Sequence, residues 1–222
     1  MAGMTPQRAV DPSSRQGRDF IARHGETVFN AARMMQGDHA HTPLTRAGFR
    51  QADEMGEALR AYLGAQPRLT LWSSSAGRAL QTLAIMTDHL ELDWHRVRRD
   101  DRLVEIGTGS WGGRSYADII AVQGDIVFAG TGLLHPSPDG EPYADVADRL
   151  AAWAADTHDD PGDRLVVMHG ISSRVLRGIL TNVGNHPAIG VPAAPSVPQG
   201  SVMMIERGAE TMLLRGSGFA PV

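Results

Sequence analysis

Two histidine–glycine pairs are the residues of this sequence best placed to do chemistry. His24-Gly25 follows the short apolar run 20–22, and His169-Gly170 follows a second apolar run, 165–168. Such runs are typical of buried strands. A strand that ends in polar residues delivers their side chains to the rim of its sheet, where open α/β sheets bind ligands. A histidine there can act as a nucleophile or move a proton, and we expect the two pairs to meet in one site.

Two arginines indicate what such a site would bind. Arg23 directly precedes His24, and Arg78 falls in the first turn of a helix predicted to start near Ser75. A guanidinium group presents a fork of N–H donors that matches two oxygens of a phosphate or carboxylate, and a helix N-terminus adds positive potential. These residue types favour an anionic ligand, although a surface Arg–His pair without a function is the commoner case.

Length and composition limit the classes of protein to consider. The 222 residues, of which 42% are hydrophobic, suit one domain, which we place at 18–222. Residues 1–17 are polar and rich in proline without a period, which predicts a flexible N-terminal extension. The net charge of −4 gives no general attraction to nucleic acid or acidic membranes, and no apolar run is long enough to span a bilayer.

Cysteine usage and histidine spacing bear on compartment and metal content. The chain has no cysteine and no secretion-signal pattern, which favours a cytoplasmic protein without disulfides. His39 and His41, beside Asp38, form the tightest histidine cluster, and their spacing suits a polar loop better than a metal cage. We therefore predict no metal site.

Apolar periodicity and turn residues predict strands that alternate with helices. One predicted strand ends near residue 22, and others cover 69–72, 163–168, 202–206 and 211–214. The segment 96–104 is predicted to be a further strand or an extended connection. The predicted helices begin at the N-caps Thr45 and Ser115, near Ser75, and at residues 143 and 172. The stretch 123–142 is predicted to be an irregular flap over a pocket. The alternation predicts an α/β fold with a mostly parallel sheet and helices on both faces.

A set of short motifs appears in the order typical of one family. The motifs are Arg23-His24-Gly25-Glu26-Thr27, Asn30, Gln36-Gly37, Pro43-Leu44-Thr45, Ser73-Ser74, Arg78-Ala79, Gln81-Thr82, Glu105, Trp111-Gly112-Gly113, Gly140-Glu141 and His169-Gly170. In this order the chain resembles the histidine phosphatase superfamily, in the branch that includes cofactor-dependent phosphoglycerate mutase. The resemblance covers about residues 18–215, with departures at Phe29, Met34 and Gln199 that bear on the substrate.

The resemblance implies a three-layer α/β/α sandwich and a phosphohistidine intermediate. It implies that His24 is the nucleophile, that Glu105 gives a proton to the leaving group, and that His169 completes the pocket. The implied phosphate ligands are Arg23, Asn30, Arg78 and the backbone N–H of Gly170. Because these arginines and histidines supply the positive charge, we expect neither a metal nor another cofactor.

Each implied role has a simpler structural alternative. Arg78 on a helix is also compatible with a solvated or paired side chain, and His169 with a satisfied core histidine. Glu105 and Asn30 are also compatible with caps of local turns. The ordered motif set favours the functional roles for all of them.

Three functions are compatible with this set of residues. Relatives that act as phosphoglycerate mutases carry a longer insertion after the proton donor, with basic residues for a substrate carboxylate. Here the stretch 115–142 contains no lysine or arginine, and its apolar residues predict an apolar pocket wall; they are Ile119, Ile120, Ile126, Val127, Phe128, Leu133 and Leu134. We therefore favour a phosphomonoesterase for a small phosphorylated metabolite over a mutase or a non-catalytic phospho-ligand binder. A homodimer is left open.

Overall fold

The computed structural model describes residues 15–219, and residues 1–14 and 220–222 lie outside the described part. Most of the predicted N-terminal extension, 1–17, therefore falls outside it. At the described end of that segment, Arg15 is buried, and its Nη2 donates to Gly162 O at 2.8 Å. Contacts with the folded domain thus begin before residue 18.

The described residues form eight strands, six α-helices and three short 3-10 helices, the last at Trp94–Arg96, Asp101–Leu103 and Gly109–Trp111. The strands are β1 (Asp19–Arg23), β2 (Leu69–Ser73), β3 (Arg98–Arg99), β4 (Val127–Phe128), β5 (Leu133–Leu134), β6 (Asp163–Met168), β7 (Val202–Glu206) and β8 (Ala209–Leu214). The helices are α1 (Val28–Ala31), α2 (Arg46–Leu63), α3 (Gly77–His89), α4 (Tyr116–Gln123), α5 (Tyr143–Asp156) and α6 (Gly170–Leu180). Strands and helices alternate along most of the chain, as predicted.

The central sheet has six strands in the order β3-β2-β6-β1-β7-β8. The first four run parallel, while β7 and β8 are antiparallel additions at one edge. The prediction of a mostly parallel sheet is therefore confirmed. The remaining two strands form a separate antiparallel hairpin, β4-β5, inside the stretch predicted to be irregular. Two-residue strands are too short to show a period in the sequence.

Helices cover both faces of the sheet. Successive side chains of a strand point to opposite faces, and β1 shows this clearly. Phe20 and Ala22 belong to one core cluster with residues of α2 and α3, whereas Ile21 belongs to a second cluster with residues of α5 and α6. The result is the expected three-layer α/β/α sandwich.

The strand order brings the functional segments together. Strand β6 lies between β2 and β1, with Arg23 opposite Met168 and Ser73 opposite Val167. Because the three strands are parallel, the residues that follow them meet at one edge of the sheet. Ser74, His169 and His24 are therefore neighbours at the carboxyl edge, where ligands of open α/β sheets bind.

Candidate active site

A cavity of about 280 Å³ opens at this carboxyl edge. Five of the residues predicted to form the site line it, namely Arg23, His24, Asn30, Glu105 and Gly170. The other two are fully buried and contact lining residues, Arg78 through Gly37 O and His169 through the ring of His24. The structure thus brings all seven residues into one region.

The two histidines face each other. The ring centroids of His24 and His169 are 5.2 Å apart, with the ring planes inclined at 62°. His24 Nδ1 lies 2.7 Å from Gly25 O, and a carbonyl oxygen can only accept, so Nδ1 carries the proton. Burial, together with the charges of Arg78 and Arg23, holds the pKa of His24 well below its usual range. His24 is therefore neutral, and its Nε2 keeps the lone pair that a nucleophile needs.

The tautomer of His169 is fixed by Arg78. Arg78 Nε donates to His169 Nδ1 at 3.0 Å, and a guanidinium can only donate, so Nδ1 is unprotonated. Burial and the charge of Arg78 hold the pKa of His169 well below its usual range, which leaves the proton on Nε2. That N–H donates to Ser74 Oγ at 2.7 Å. His169 is thus a hydrogen-bond donor at Nε2, and in this structure Ser74 accepts that hydrogen bond.

Arg78 is held by the loop that follows α1. Its Nη2 donates to Gly37 O at 2.8 Å, and its Nη1 donates to His39 O at 2.5 Å and to Thr42 Oγ1 at 3.2 Å. Gly37 has a φ of 49°, and a Cβ at this position would lie 2.2 Å from Thr108 Oγ1, so only glycine fits. With the bond to His169, these contacts occupy four of the five N–H groups of Arg78. Burial lowers its pKa to about 10, so Arg78 remains a cation at neutral pH.

Glu105 sits on the N-terminus of α6. Its Oε1 accepts from Ser172 N at 2.8 Å, and its Oε2 accepts from Ile171 N at 3.0 Å. These are first-turn N–H groups without partners inside the helix, and the helix dipole favours negative charge there. The carboxyl group is thereby held on the cavity lining, close to Gly170.

A partly buried ion pair, Arg149–Glu141, supports the segment that carries Glu105. Arg149 Nη1 donates to the carbonyl oxygens of Val104 at 2.9 Å and Arg102 at 2.5 Å. Its Nε lies 2.7 Å from Glu141 Oε1, and Glu141 Oε2 accepts from Gly107 N at 3.1 Å. The pair therefore forms hydrogen bonds to the backbone on both sides of Glu105.

Arg23 presents its guanidinium group next to Gly170. Arg23 Nη1 donates to Val197 O at 2.7 Å and to Phe219 O at 3.2 Å, while its buried Nε has no hydrogen-bond partner. A Cβ on Gly170 would lie 3.3 Å from both Arg23 Nη2 and Glu105 Oε2, so glycine lets these groups approach the start of α6 closely. Burial lowers the pKa of Arg23 to about 10, which leaves it charged at neutral pH.

Asn30 has a structural contact as well as a place on the cavity wall. Its Oδ1 accepts from Thr27 N at 3.0 Å, while Thr27 Oγ1 accepts from Asn30 N at 3.2 Å. This reciprocal pair caps α1 and orients the amide group. Asn30 therefore does cap a local turn, as the structural alternative predicted. The cap uses its Oδ1, so its Nδ2 is free to donate to a ligand.

Several residues that line the cavity were not among the site residues predicted from the sequence. They are Arg33, Thr108, Tyr116, Arg174 and Phe219. A signal existed for Arg174, which lies four residues after Gly170 and so on the same side of α6. For the others, the sequence offered no comparable spacing.

The apolar wall is partly as predicted. Ile120, Ile126, Val127 and Leu134 line the cavity. Ile119 and Leu133 do not, because both are fully buried in core clusters, and Phe128 packs against the core. Arg33 and Arg174 also line the cavity, from segments outside 115–142, and that stretch itself contains no lysine or arginine.

Residues 15–219 show neither a metal-binding cluster nor a membrane-spanning helix. No group of three or more histidine, aspartate or glutamate side chains is arranged there to hold a metal ion. No helix within the same residues combines the length and apolar character needed to cross a bilayer.

Known proteins match the chain over most of its length. The family model for the histidine phosphatase superfamily (branch 1) matches residues 20–214. The probable phosphoglycerate mutase GpmB of Yersinia enterocolitica is 30% identical over 174 residues, which are 75% of this chain and 76% of that protein.

Solved structures share the same fold. Mycobacterial glucosyl-3-phosphoglycerate phosphatase, in complex with VO3, has a TM-score of 0.68 and 27% identity, covering 90% of this chain and 97% of that one. A putative alpha-ribazole-5'-P phosphatase from Escherichia coli K-12 has a TM-score of 0.69, covering 91% and 97% of the two chains. Its identity of 23% supports a likeness of fold alone.

Proposed function

We propose that this chain, which belongs to the histidine phosphatase superfamily (branch 1), hydrolyses small phosphomonoesters through a phosphohistidine on His24. The observation that carries the proposal is the state of His24. Its Nδ1 proton is held by Gly25 O, and its Nε2 is unprotonated beside His169 and two buried arginines. A neutral imidazole in a cationic cavity can attack a phosphate dianion without first losing a proton.

In the first step, His24 Nε2 forms a bond to phosphorus as the bond from phosphorus to the ester oxygen breaks. With the negatively charged phosphate bound beside it, the carboxyl of Glu105 carries a proton and gives it to that oxygen, so the product leaves as an alcohol. The transferring group spreads negative charge over three equatorial oxygens, and fixed cations stabilise that charge. Arg23, lining the cavity, and Arg78, buried against its lining, provide such cations, with N–H groups of His169, Asn30 and Gly170 close by.

In the second step, water attacks the phosphohistidine. The carboxylate of Glu105 takes a proton from that water, the N–P bond breaks, and inorganic phosphate leaves. His24 returns to its neutral form and Glu105 to its protonated form, so the cycle closes without another reactant. Both steps need Glu105 near the reacting oxygen, and its position at the start of α6 supports this.

A mutase remains the second candidate, because the relative from Yersinia enterocolitica is named a probable phosphoglycerate mutase. The phosphatase is favoured because the solved structure at 27% identity, named as a phosphatase, covers 90% of this chain. The sequence also lacks basic residues in 115–142, where mutases carry theirs. A non-catalytic binder is disfavoured, since it would have no use for a carboxyl group beside the leaving oxygen. A cytoplasmic location and a homodimer stay predictions.

The test is phosphate release from p-nitrophenyl phosphate. We expect activity in the wild type, loss of at least about 1,000-fold in His24→Ala, and no loss in His95→Ala, an exposed histidine far from the cavity lining. Absence of release in the wild type, or equal activity in His24→Ala, would contradict the proposal. Efficient conversion of 3-phosphoglycerate to 2-phosphoglycerate, primed with 2,3-bisphosphoglycerate, would favour the mutase instead.

A further inference from the structure

Gln51 is a polar residue on the buried face of α2, which is otherwise apolar. It lies among Gly48, Ala52 and Met55, which are all buried, and it is itself only 3% exposed. Burial of an amide group costs free energy unless the group forms hydrogen bonds, so a glutamine at this position needs a partner. Its Oε1 accepts from Glu26 N at 2.7 Å. Because only the oxygen of an amide group can accept, this contact fixes the orientation of the side chain.

The N–H group of Glu26 belongs to the same peptide unit as the carbonyl group of Gly25. That carbonyl oxygen lies 2.7 Å from His24 Nδ1 and accepts its proton. Two hydrogen bonds therefore run in series from the imidazole of His24, through peptide 25–26, to Gln51 Oε1. Hydrogen bonds in such a chain polarise one another, so the bond to Gln51 makes Gly25 O a stronger acceptor.

Neighbouring contacts restrict the rotation of this peptide. Gly25 N donates to Thr82 Oγ1 at 3.1 Å, and Thr82 is oriented by its own hydrogen bond to a carbonyl group of α3. On the other side, Glu26 O accepts from Thr45 N at 2.9 Å, at the N-cap of α2. The flanking peptides are thus held by α3 and by the start of α2, while Gln51 holds the peptide whose carbonyl group meets the imidazole.

The proton on Nδ1 has two consequences for the proposed reaction. A neutral imidazole has its lone pair on one ring nitrogen only, and the hydrogen bond of the other nitrogen selects which one. The tautomer with its proton on Nε2 has no lone pair there to attack phosphorus. When Nε2 of His24 forms its bond to phosphorus, the ring gains positive charge, and a strong acceptor at Nδ1–H stabilises that charge.

We infer that Gln51 is a positioning residue for the nucleophile, which holds peptide 25–26 so that His24 keeps its proton on Nδ1. Gln51 is not among the described residues that line the cavity, so it acts through the carbonyl group of Gly25 and not on the substrate. Its effect on rate rests on the proposed function, whereas the tautomer of His24 is observable without a substrate.

The direct test is the tautomer of His24, measured by NMR on protein labelled with 15N-histidine in phosphate-free buffer. The signals of His24 are those that disappear in His24→Gln. Protonated and unprotonated ring nitrogens have well-separated resonances, so the wild type should show an unprotonated Nε2 and a protonated Nδ1. In Gln51→Met, which keeps the side-chain length but removes the acceptor, we expect the two signals to move toward each other as both tautomers become populated. Signals unchanged from the wild type would overturn the inference.

Gln81 provides the matched control. Its Oε1 also accepts from a loop N–H group, Leu44 N at 3.0 Å, but the carbonyl group of that peptide, Pro43 O, accepts from Val28 N and not from an imidazole. Gln81→Met should therefore leave the tautomer of His24 as it is in the wild type. A change of the same size in Gln81→Met would contradict a specific role for Gln51.

Gln51→Glu tests the same chain of hydrogen bonds in the opposite direction, and it carries the test if Gln51→Met does not fold. It keeps an acceptor for Glu26 N and makes that acceptor anionic, and hydrogen bonds to ionised acceptors are stronger. At pH 8 the Nδ1 proton of His24 should move downfield in Gln51→Glu and stay in place in Gln81→Glu. An Nδ1 proton that does not move in Gln51→Glu would contradict the inference.

Kinetics measure the consequence for the reaction. We expect Gln51→Met to slow phosphoenzyme formation from p-nitrophenyl phosphate by about 10- to 100-fold, because fewer molecules carry the attacking tautomer in the right orientation. The Ki of inorganic phosphate should stay close to that of the wild type, since the arginines are unchanged, whereas general damage to the site would raise it. If the tautomer depends on Gln51 but the wild type releases no phosphate, the phosphatase proposal fails and the role of Gln51 stands. If the wild type is active and Gln51→Met keeps both its tautomer and its rate, only the role of Gln51 fails.

Discussion

The substitution Glu105→Gln separates the chemical role of this residue from its structural one. The side chain keeps its shape, and its Oε1 still accepts from Ser172 N. In the wild type, Ile171 N donates to Oε2 at 3.0 Å. In the variant an NH2 group takes the place of Oε2, so two donors face each other. A buried N–H that loses its acceptor costs about 1–3 kcal/mol. We expect the protein to fold with a measurable loss of stability.

The chemical effect depends on the leaving group. An alkyl phosphate must expel a poor alkoxide, so loss of the proton donor slows phosphorylation of His24 by roughly 100- to 10,000-fold. That range corresponds to about 2.7–5.5 kcal/mol of transition-state stabilisation. p-Nitrophenolate is a stable anion and leaves without a proton, so the same step slows by less than about tenfold. A purely structural role would slow both esters equally.

The assay is rapid quench of phosphoenzyme formation with glycerol 3-phosphate and with p-nitrophenyl phosphate. Steady-state turnover does not isolate the first step, because the variant also lacks the base that activates water in the second step. Glu57→Gln, an exposed carboxylate on α2, is the matched control and should change neither rate. If Glu105→Gln slows the two esters by the same factor, Glu105 does not protonate the leaving oxygen.

Three further predictions concern the support of Glu105 by Arg149, the pH dependence of stability, and the effect of removing metal ions. Arg149→Met should slow alkyl phosphates by roughly 10- to 100-fold and p-nitrophenyl phosphate less, because it releases the backbone beside Glu105; equal slowing would contradict this. The pKa values of His24 and His169 are well below their usual range in the folded state, so the unfolded state binds more protons below about pH 6.5. The free energy of unfolding should therefore be highest above that pH and fall below it by up to about 1.4 kcal/mol per pH unit for each histidine. Urea unfolding of His24→Gln in phosphate-free buffer should show a smaller fall. Activity should survive EDTA treatment, and its loss with recovery on adding Mg²⁺ or Zn²⁺ would refute the arginine-based account.

Local signals in the sequence were sufficient for much of the fold. Thr45 and Ser115 were predicted as N-caps, and their hydroxyl oxygens accept from Gly48 N and Asp118 N. The segment 96–104 was predicted as a strand or an extended connection, and the structure has only a short strand there. Only Arg98–Arg99 pairs with β2, since the side chain of Asp100 bonds to the backbone of Arg102 and favours a turn.

The site was predictable where its residues end strands, and less so elsewhere. His24 and His169 follow apolar runs, so sequence alone placed them at one edge of the sheet. The support of Arg78 depends on the carbonyl groups of Gly37 and His39, which any residue type would provide, and no sequence pattern marks such contacts. Arg33 reaches the cavity lining through the turn that ends α1, and no spacing in the sequence marks such a position.

Direct detection of the phosphoenzyme tests the central claim. The enzyme is mixed with p-nitrophenyl phosphate, quenched in base within milliseconds, digested, and mapped by mass spectrometry. We predict an acid-labile, base-stable phosphate on the peptide that contains His24, with more of it in Glu105→Gln because water is no longer activated. Turnover with no phosphate on His24, or with phosphate on another residue, would contradict the mechanism.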